Sequence, residues 1–434
     1  MRISLPGAAS RLLLVFGLAG LASGCDSLLE VDNPATYAAE DLNDPAVAPV
    51  MVNGVLARFN AMYDDLALYS AIITDEAVTG HNFETIQRVD LRQITKLNSD
   101  VYAALQFTRA AADSFEARLV RIQPDSANRA LGIARVQAYG AMTYVLLGEF
   151  LCLAPIEGTQ DAISSDSMFR IAISTANRAI ATGTASSTSG SGVRGDSMVA
   201  LARLAAARAH LNLGEKAQAA TFAALVPYDT IQPLEFRANY NILNLNSVFF
   251  GSTSGTNHNL GVDVAFRNLN DPRVRHFAQG RTGHDQRTIL FTPFQGPSFS
   301  GYAPTATGGA AFTREGSIRF ASGLEARYIL AEAQGVNAAN LTFINRRRLI
   351  GNQAPLVSPT EAQFLAAVMD QRRRDFFLDG HRIGDLRRYK RLYSQNFFPT
   401  GAHPTPDRGN YGTDECFVPT QAEITGNPGY NPAP

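Results

Sequence analysis

Five long segments place apolar side chains at three- and four-residue intervals, and that period commits most of the chain to amphipathic helices packed on one another. The segments run from Val47 to Ala71, Ser99 to Arg121, Ser126 to Phe150, Ser165 to Ala181 and Asp196 to Leu225. Alanine is frequent and proline sparse inside them, which suits helix interiors. Ser126, Ser165 and Asp196 stand just ahead of three of the patterns, where side-chain N-caps belong.

Two of these helices carry similar endings, Leu147-Gly148-Glu149 and Leu213-Gly214-Glu215, 66 residues apart. Small residues flank both, at Ala138 and Ala141 and then at Ala205 and Ala217. The interval is close to two periods of a tetratricopeptide-type helical hairpin, which repeats about every 34 residues. A third helical pair lies between Ala326 and Leu349. The expected fold is therefore mostly α, an α-α superhelix of tetratricopeptide-like hairpins.

Two stretches break the helical pattern. Thr182 to Gly195 is rich in Ser and Gly and reads as a loop. Pro227 to Ser322 is too long for a mere connection, and segments of that kind inside a compact protein usually carry function. Phe236, Tyr240, Phe249, Phe250, Phe291, Phe294, Phe299, Tyr302 and Phe312 punctuate it among Gly, Asn, Ser and Thr. The organisation expected is a helical-repeat part over 45–226, an irregular ligand-binding part over 227–322, and a C-terminal helical part with a closing segment over 323–434.

The first residues determine where the chain goes. Arg2 and Arg11 precede an apolar run from Leu12 to Ala22, and Ala22-Ser23-Gly24 leads into Cys25. This is the layout of a lipoprotein signal peptide over 1–24, with Cys25 becoming the acylated N-terminus. Residues 25–44 then form an acidic tether that holds Asp26, Glu30, Asp32, Glu40, Asp41 and Asp44 without Lys or Arg. The most apolar later stretch, Tyr139 to Ile156, contains Thr143 and Glu149 and reads as a buried helix rather than a membrane span. A net charge of −1 argues against a nucleic-acid partner.

Beyond Cys25 two cysteines remain, Cys152 and Cys416, in an oxidising compartment. They either bridge or stay as two buried thiols, since sequence cannot supply the sulfur geometry. Neither has a metal-ligating neighbour at short spacing, and the histidines show no paired ligand spacing, so neither metal nor cofactor is expected. Gly251-Ser252-Thr253-Ser254-Gly255 echoes a nucleophile elbow only superficially, because Thr253 sits at its centre. No catalytic constellation emerges, and the chain is expected to bind rather than to catalyse.

The densest motif spans Asp370 to Tyr389, where arginines alternate with Asp370, Asp375, Asp379 and Asp385 around Phe376-Phe377-Leu378-Asp379-Gly380-His381-Arg382. Read as helix, it pairs Arg372 with Asp375 and Arg382 with Asp385 at three-residue spacing, with Gly380 and Gly384 permitting a sharp junction. Interleaved aspartates make a self-neutralising structural network the better reading than an anion-binding patch.

This stretch resembles the signature of the SusD/RagB family of nutrient-uptake lipoproteins, ending in Tyr389 where the family usually has tryptophan. Further matches follow in family order: Asp271-Pro272-Arg273-Val274-Arg275, then Arg327 to Ala333 with Ile344-Asn345-Arg346-Arg347-Arg348, then Val418 to Ile424 with Asn427-Pro428-Gly429-Tyr430. The resemblance implies a stack of tetratricopeptide-like hairpins with an irregular ligand-binding half. It also implies a surface-exposed, lipid-anchored outer-membrane protein that captures oligosaccharide or another nutrient for a SusC-like, TonB-dependent transporter, without cleaving it. The alternative is a tetratricopeptide-like envelope scaffold or peptide-binding lipoprotein. The chain has no tryptophan, so stacking on sugar rings falls to Phe and Tyr. Ligand-binding candidates are His81, Asn82, Phe83 and Arg88 after the first long helix, and Phe294, Phe299 and Tyr302 in the irregular part.

Overall fold

The structure is a computed structural model, and it describes residues 41–98, 100–122, 127–156, 161–186, 192–248, 259–293, 303–304, 310–311, 315–427 and 430. Cys25, Ser126, Phe294, Phe299 and Tyr302 lie outside the described residues. The chain divides into a short N-terminal unit, 1–47, and one compact unit from Ala48 onward. In the first, Asp41–Asn43 and Pro45–Val47 are single 3-10 turns.

The compact unit is mostly helical. Its long helices are α1 (Ala48–Ile73), α3 (Asp100–Ile122), α4 (Ala127–Phe150), α5 (Ser165–Ser186) and α6 (Gly192–Asn212), with a short α2 (Glu84–Asp90) after α1 and α7 (Lys216–Ala224) after α6. A four-residue helix, α8 (Val264–Arg267), stands in the irregular part. After it come α9 (Gly323–Gln334), α10 (Ala338–Ile350), α11 (Glu361–Asp375), α12 (Arg382–Tyr393) and the short α13 (Gln421–Gly426). Helices pack in chain order, α3 on α4, α4 on α5, α5 on α6 and α6 on α7, and α9 then closes on α7. That is the helical-hairpin stack the periodicity predicts. Among the described residues no helix is long and apolar enough to cross a membrane.

Small residues set the spacing of this stack. Ala134, Ala138 and Ala141 of α4 and Ala172, Ala176 and Ala179 of α5 are all fully buried in the core where these two helices pack. Gly148, expected to end its helix, instead lies inside α4, where the Phe169 ring occupies the space a Cβ would need, within 2.5 Å of it. Gly214 does act as a terminator, at φ +80°, and it splits the expected Asp196–Leu225 helix into α6 and α7. Two caps also differ from expectation. Ser164, one residue earlier, accepts from Ser167 N, while Ser165 donates to the Leu151 carbonyl, and Asp196 sits within α6. The Thr182–Gly195 loop is likewise shorter than expected, because α5 runs to Ser186 and α6 starts at Gly192.

The 227–322 part holds mainly paired short strands. β1 (Ala77–Thr79), in the helical part, pairs antiparallel with β5 (Leu260–Val262), and β2 (Leu153–Pro155) pairs with β3 (Ala162–Ser164). β4 (Glu235–Ala238) pairs with β10 (Ile318–Ser322), and β6 (His276–Thr282) with β7 (Ile289–Pro293). A further two-residue pair joins β8 (Ala303–Pro304) to β9 (Ala310–Ala311). An aromatic cluster ties β10 to the helices: Phe320 lies 4.7 Å from Phe59 and 5.8 Å from Tyr139, centroid to centroid, and Phe59 meets Tyr139 edge-on at 5.0 Å. Such offset and edge contacts add to the area they bury.

The charged motif of α11 and α12 is a largely buried network in which some local pairs form, Arg374 with Asp370 and Arg388 with Asp385, but neither of the two expected ones does. Arg372 pairs with Asp385 at 2.7 Å across the turn, and Arg382 forks onto Asp75 at the end of α1 with both contacts at 2.7 Å. Asp375 takes Arg273, at 3.0 Å, and Arg347. Arg208 of α6 forks onto Glu149 of α4 and reaches Glu325 of α9 at 3.5 Å. Pairing only along the helix would leave Asp75 and Glu149 as lone buried charges and Asp375 short of a cation, which is far costlier than a bridge between elements. At the junction Gly380 adopts φ +91° against the Tyr63 ring, whose hydroxyl donates to the Asp379 carbonyl at 2.7 Å.

These environments predict a stability maximum on the acid side of neutrality. Burial pushes Asp65 up to about 7, helped by Asp64 and Asp100, and pushes Asp64 up to about 6 against its hydrogen bonds from Ser247. Folded-state values above the unfolded ones mean that the native state holds extra protons, so stability falls as pH rises through that window. Glu325 works the other way: burial opposes its charge, but Arg208 and then His381 outweigh burial and hold it at about 2, so its contribution is lost on acidification below about pH 4. The melting temperature is expected to be higher near pH 5.5 than at pH 8, and Asp65→Asn should flatten that decline. Equal melting temperatures at the two pH values would refute the assignment.

Candidate functional site

The loop between β1 and α2 builds one wall of an open cleft of about 490 Å³. Its position is fixed by a close backbone approach: a Cβ on Gly80 would lie 2.7 Å from the Gly283 Cα, so the turn of the β6–β7 hairpin sits directly on the β1 loop. Gly80 N donates to the Asn259 carbonyl, and Asp285 N donates to the Gly80 carbonyl at 2.9 Å. The hairpin turn thereby brings Asp285 and Arg287 into the cleft.

The third wall comes from the closing segment, through Asp90. This buried carboxylate at the end of α2 accepts from Thr79 N at 3.0 Å and Arg408 Nη1 at 2.9 Å, and His403 Nε2 lies 3.1 Å from it. Arg408 also reaches Asp285 on the hairpin, so one guanidinium clamps all three walls together. Gly412 N donates to the Leu91 carbonyl, and Gln93 donates to the Asn410 carbonyl at 3.1 Å. Cys152 and Cys416 form a disulfide just downstream, across 264 residues.

Of the four residues singled out from the sequence, Asn82 and Arg88 line this cleft, whereas His81 and Phe83 flank Asn82 without lining it. Phe83 precedes α2 as its N-cap residue and leaves its ring 61% exposed. His81 lies beneath it, ring centroids 4.3 Å apart and tilted by 40°, and its Nδ1 accepts from Phe83 N. That acceptor role assigns the ring proton to Nε2 in the neutral form. Burial, and then His284, keeps the His81 imidazole below its ordinary range, so the ring is neutral at physiological pH. Asn82 and Arg88 line the cleft, and Arg88 reaches Glu84 at 3.2 Å and Gln93 at 2.6 Å. An exposed ring beside amides and guanidinium forks suits a flat, hydroxyl-rich ligand. Sequence reasoning missed Asp285, Arg287 and Asp407–Asn410, because nothing in those segments marks them as neighbours of α2.

Among the described residues no group of three or more His, Cys, Asp or Glu is placed to hold a metal ion. No protein-family profile matches the chain, and no curated protein matches it. Solved structures do. A SusD superfamily protein from Bacteroides thetaiotaomicron superposes with a TM-score of 0.66 at 13% identity, covering 89% of this chain and 98% of its own. A SusD-like carbohydrate-binding protein from Bacteroides vulgatus gives 0.64 at 12% identity, over 89% of this chain and 97% of its own. Surface glycan-binding protein A from Bacteroides uniformis gives 0.62 at 14% identity, over 87% and 98%. At these identities the likeness is one of architecture, and it extends over nearly the whole of each relative: the chain has the fold of the SusD superfamily.

Proposed function

We propose that this chain is a SusD/RagB-family lipoprotein, anchored through acylated Cys25 at the outer-membrane surface, that binds oligosaccharide and passes it uncleaved to a SusC-like, TonB-dependent transporter. The observation carrying the proposal is the exposed Phe83 ring, packed on neutral His81 and adjacent in sequence to Asn82 and Glu84 of the polar cleft, on a fold shared with proteins named for carbohydrate and glycan binding. The ordered sequence motifs and the lipoprotein signal support the family, anchor and partner. Phe294, Phe299 and Tyr302 remain proposed contributors from the irregular part.

Binding would rest on the Phe83 face covering the apolar side of a sugar ring, while Asn82, Gln87, Gln93 and Arg88 take its hydroxyls. Calorimetry on the detergent-purified mature protein, with neutral glucan and galactan oligomers, should give saturable binding. Phe83→Ala should weaken it about tenfold, the scale of one lost stacking contact plus its burial. Unchanged affinity in that variant removes Phe83 from the site. Saturable binding of peptides alone would favour the envelope-scaffold alternative, and released product would make the chain a hydrolase.

A further inference from the structure

The Asp271–Arg275 segment stands out in the sequence yet plays no part in the cleft described above. Arg273 goes inward to the buried network, but the rest of the segment borders a separate open cavity of about 460 Å³, with Arg267, Asp271, Arg275, His276 and Asn352 in its wall. Its single carboxylate is already used. Asp271 is 4% exposed and accepts from Arg273 Nε at 2.9 Å and Nη2 at 2.7 Å, and from Arg374 Nη1 at 3.0 Å. Arg267 is different, since no ion pair among the described residues includes it and its buried Nε has no hydrogen-bond partner. Its guanidinium carbon lies over the Phe291 ring, 3.9 Å from the centroid, and His276 meets the same ring edge-on at 5.9 Å. A guanidinium held over an aromatic face is a preorganised planar fork, the geometry that matches carboxylate and sulfate oxygens.

We infer that this cavity binds the carboxylate or sulfate group of an acidic saccharide, with Arg267 as its principal contact. Arg275, Asn352 and His276 stand in the same wall, and the Asp271 carboxylate is already matched by Arg273 and Arg374. The placement connects this pocket to the cleft. His276 opens β6, and the turn of the same hairpin carries Asp285 and Arg287 into the glycan site, up to about 25 Å away along the strand. A short sugar would occupy one pocket and an extended acidic polymer both. The substrate class named here, a uronate- or sulfate-bearing glycan, rests on the glycan-binding proposal, whereas the anion pocket does not.

The test titrates the detergent-purified mature protein with galacturonate, galactose 6-sulfate, uncharged galactose, inorganic sulfate and a neutral glucan oligomer. Galacturonate or galactose 6-sulfate should bind, more weakly as salt rises, and galactose should not. Arg267→Gln should weaken the charged sugar roughly tenfold or more while leaving the neutral oligomer's affinity unchanged, and Arg267→Lys should recover part of the loss. Thermal melting of each variant reports whether it remains folded. Equal binding of charged and uncharged galactose, or an Arg267→Gln variant with full affinity for the charged sugar, overturns the assignment. Inorganic sulfate binding as tightly as the sulfated sugar would overturn the saccharide. Loss of neutral-oligomer binding alone would count against the Phe83 cleft and not against this pocket.

Discussion

Arg388→Ala is expected to lower the unfolding free energy by about 3–5 kcal/mol, the scale of one partner removed from a buried ion pair. Arg388 is 3% exposed on α12, and its fork reaches Glu332 of α9 at 2.8 and 3.0 Å, Asp385 at 2.8 Å and the Asn212 amide oxygen of α6 at 3.2 Å. Alanine would leave Glu332 without a cation in a water-excluded site, and Asp385 with Arg372 alone. The comparison that isolates this effect is Arg391→Ala three residues on, where both Arg391 and its partner Asp166 are exposed, so the loss should stay under about 1 kcal/mol. Replacing Arg388 and Glu332 together, by Met and Leu, should recover much of the stability lost in the single variant, because the orphaned charge disappears with its partner. Urea unfolding with an unchanged m-value measures all three. If Arg388→Ala unfolds within 1 kcal/mol of Arg391→Ala, the network is not what locks α12 to α6 and α9.

The helices were legible because their signal is local. A 3.6-residue period is written into each segment independently of what it packs against, and α1, α3 and α4 begin and end within two residues of the pattern. Boundaries failed where a single residue's backbone or contact decides: Gly214 at φ +80° stops α6, whereas Gly148, with the same leucine before it, serves as the seat for Phe169. The charged motif was legible as self-neutralising but not in its pairing. Spacing along a helix names the neighbours at three and four residues, yet Arg382 finds Asp75 from over 300 positions away. Only the folded topology brings such partners together.

The candidate cleft divides along the same line. His81, Asn82, Phe83 and Arg88 form a short segment in which ring, amide and guanidinium already occur together, so the combination is visible in the sequence. The opposing walls are visible only through Asp90, which gathers Thr79, His403 and Arg408, and through the touching backbones of Gly80 and Gly283. A buried aspartate at the end of a seven-residue helix carries no local mark of that role. The consequence is that half of the site's shape depends on how the closing segment is held.

That dependence makes the disulfide the second large effect. The Cys152→Ser, Cys416→Ser double variant should lose several kcal/mol: a bridge across 264 residues removes loop-closure entropy from the unfolded chain worth about 5.6 kcal/mol in the chain-entropy model. The native segment nonetheless keeps other anchors. Phe417 N donates to the Phe150 carbonyl at 2.7 Å, Cys152 N donates to the Phe417 carbonyl at 2.9 Å, and Arg92 Nε donates to the Asp414 carbonyl at 2.9 Å. The folded double variant should therefore retain the cleft, and its oligosaccharide affinity should lie close to that of the parent protein even as its unfolding midpoint drops. Saturating ligand should then restore part of the lost stability, about 2.7 kcal/mol at a hundred times Kd. A double variant as stable as the oxidised parent would mean that Phe417 and these hydrogen bonds already fix the segment without the bridge. One that stays folded but no longer binds sugar would mean that the bridge shapes the cleft directly.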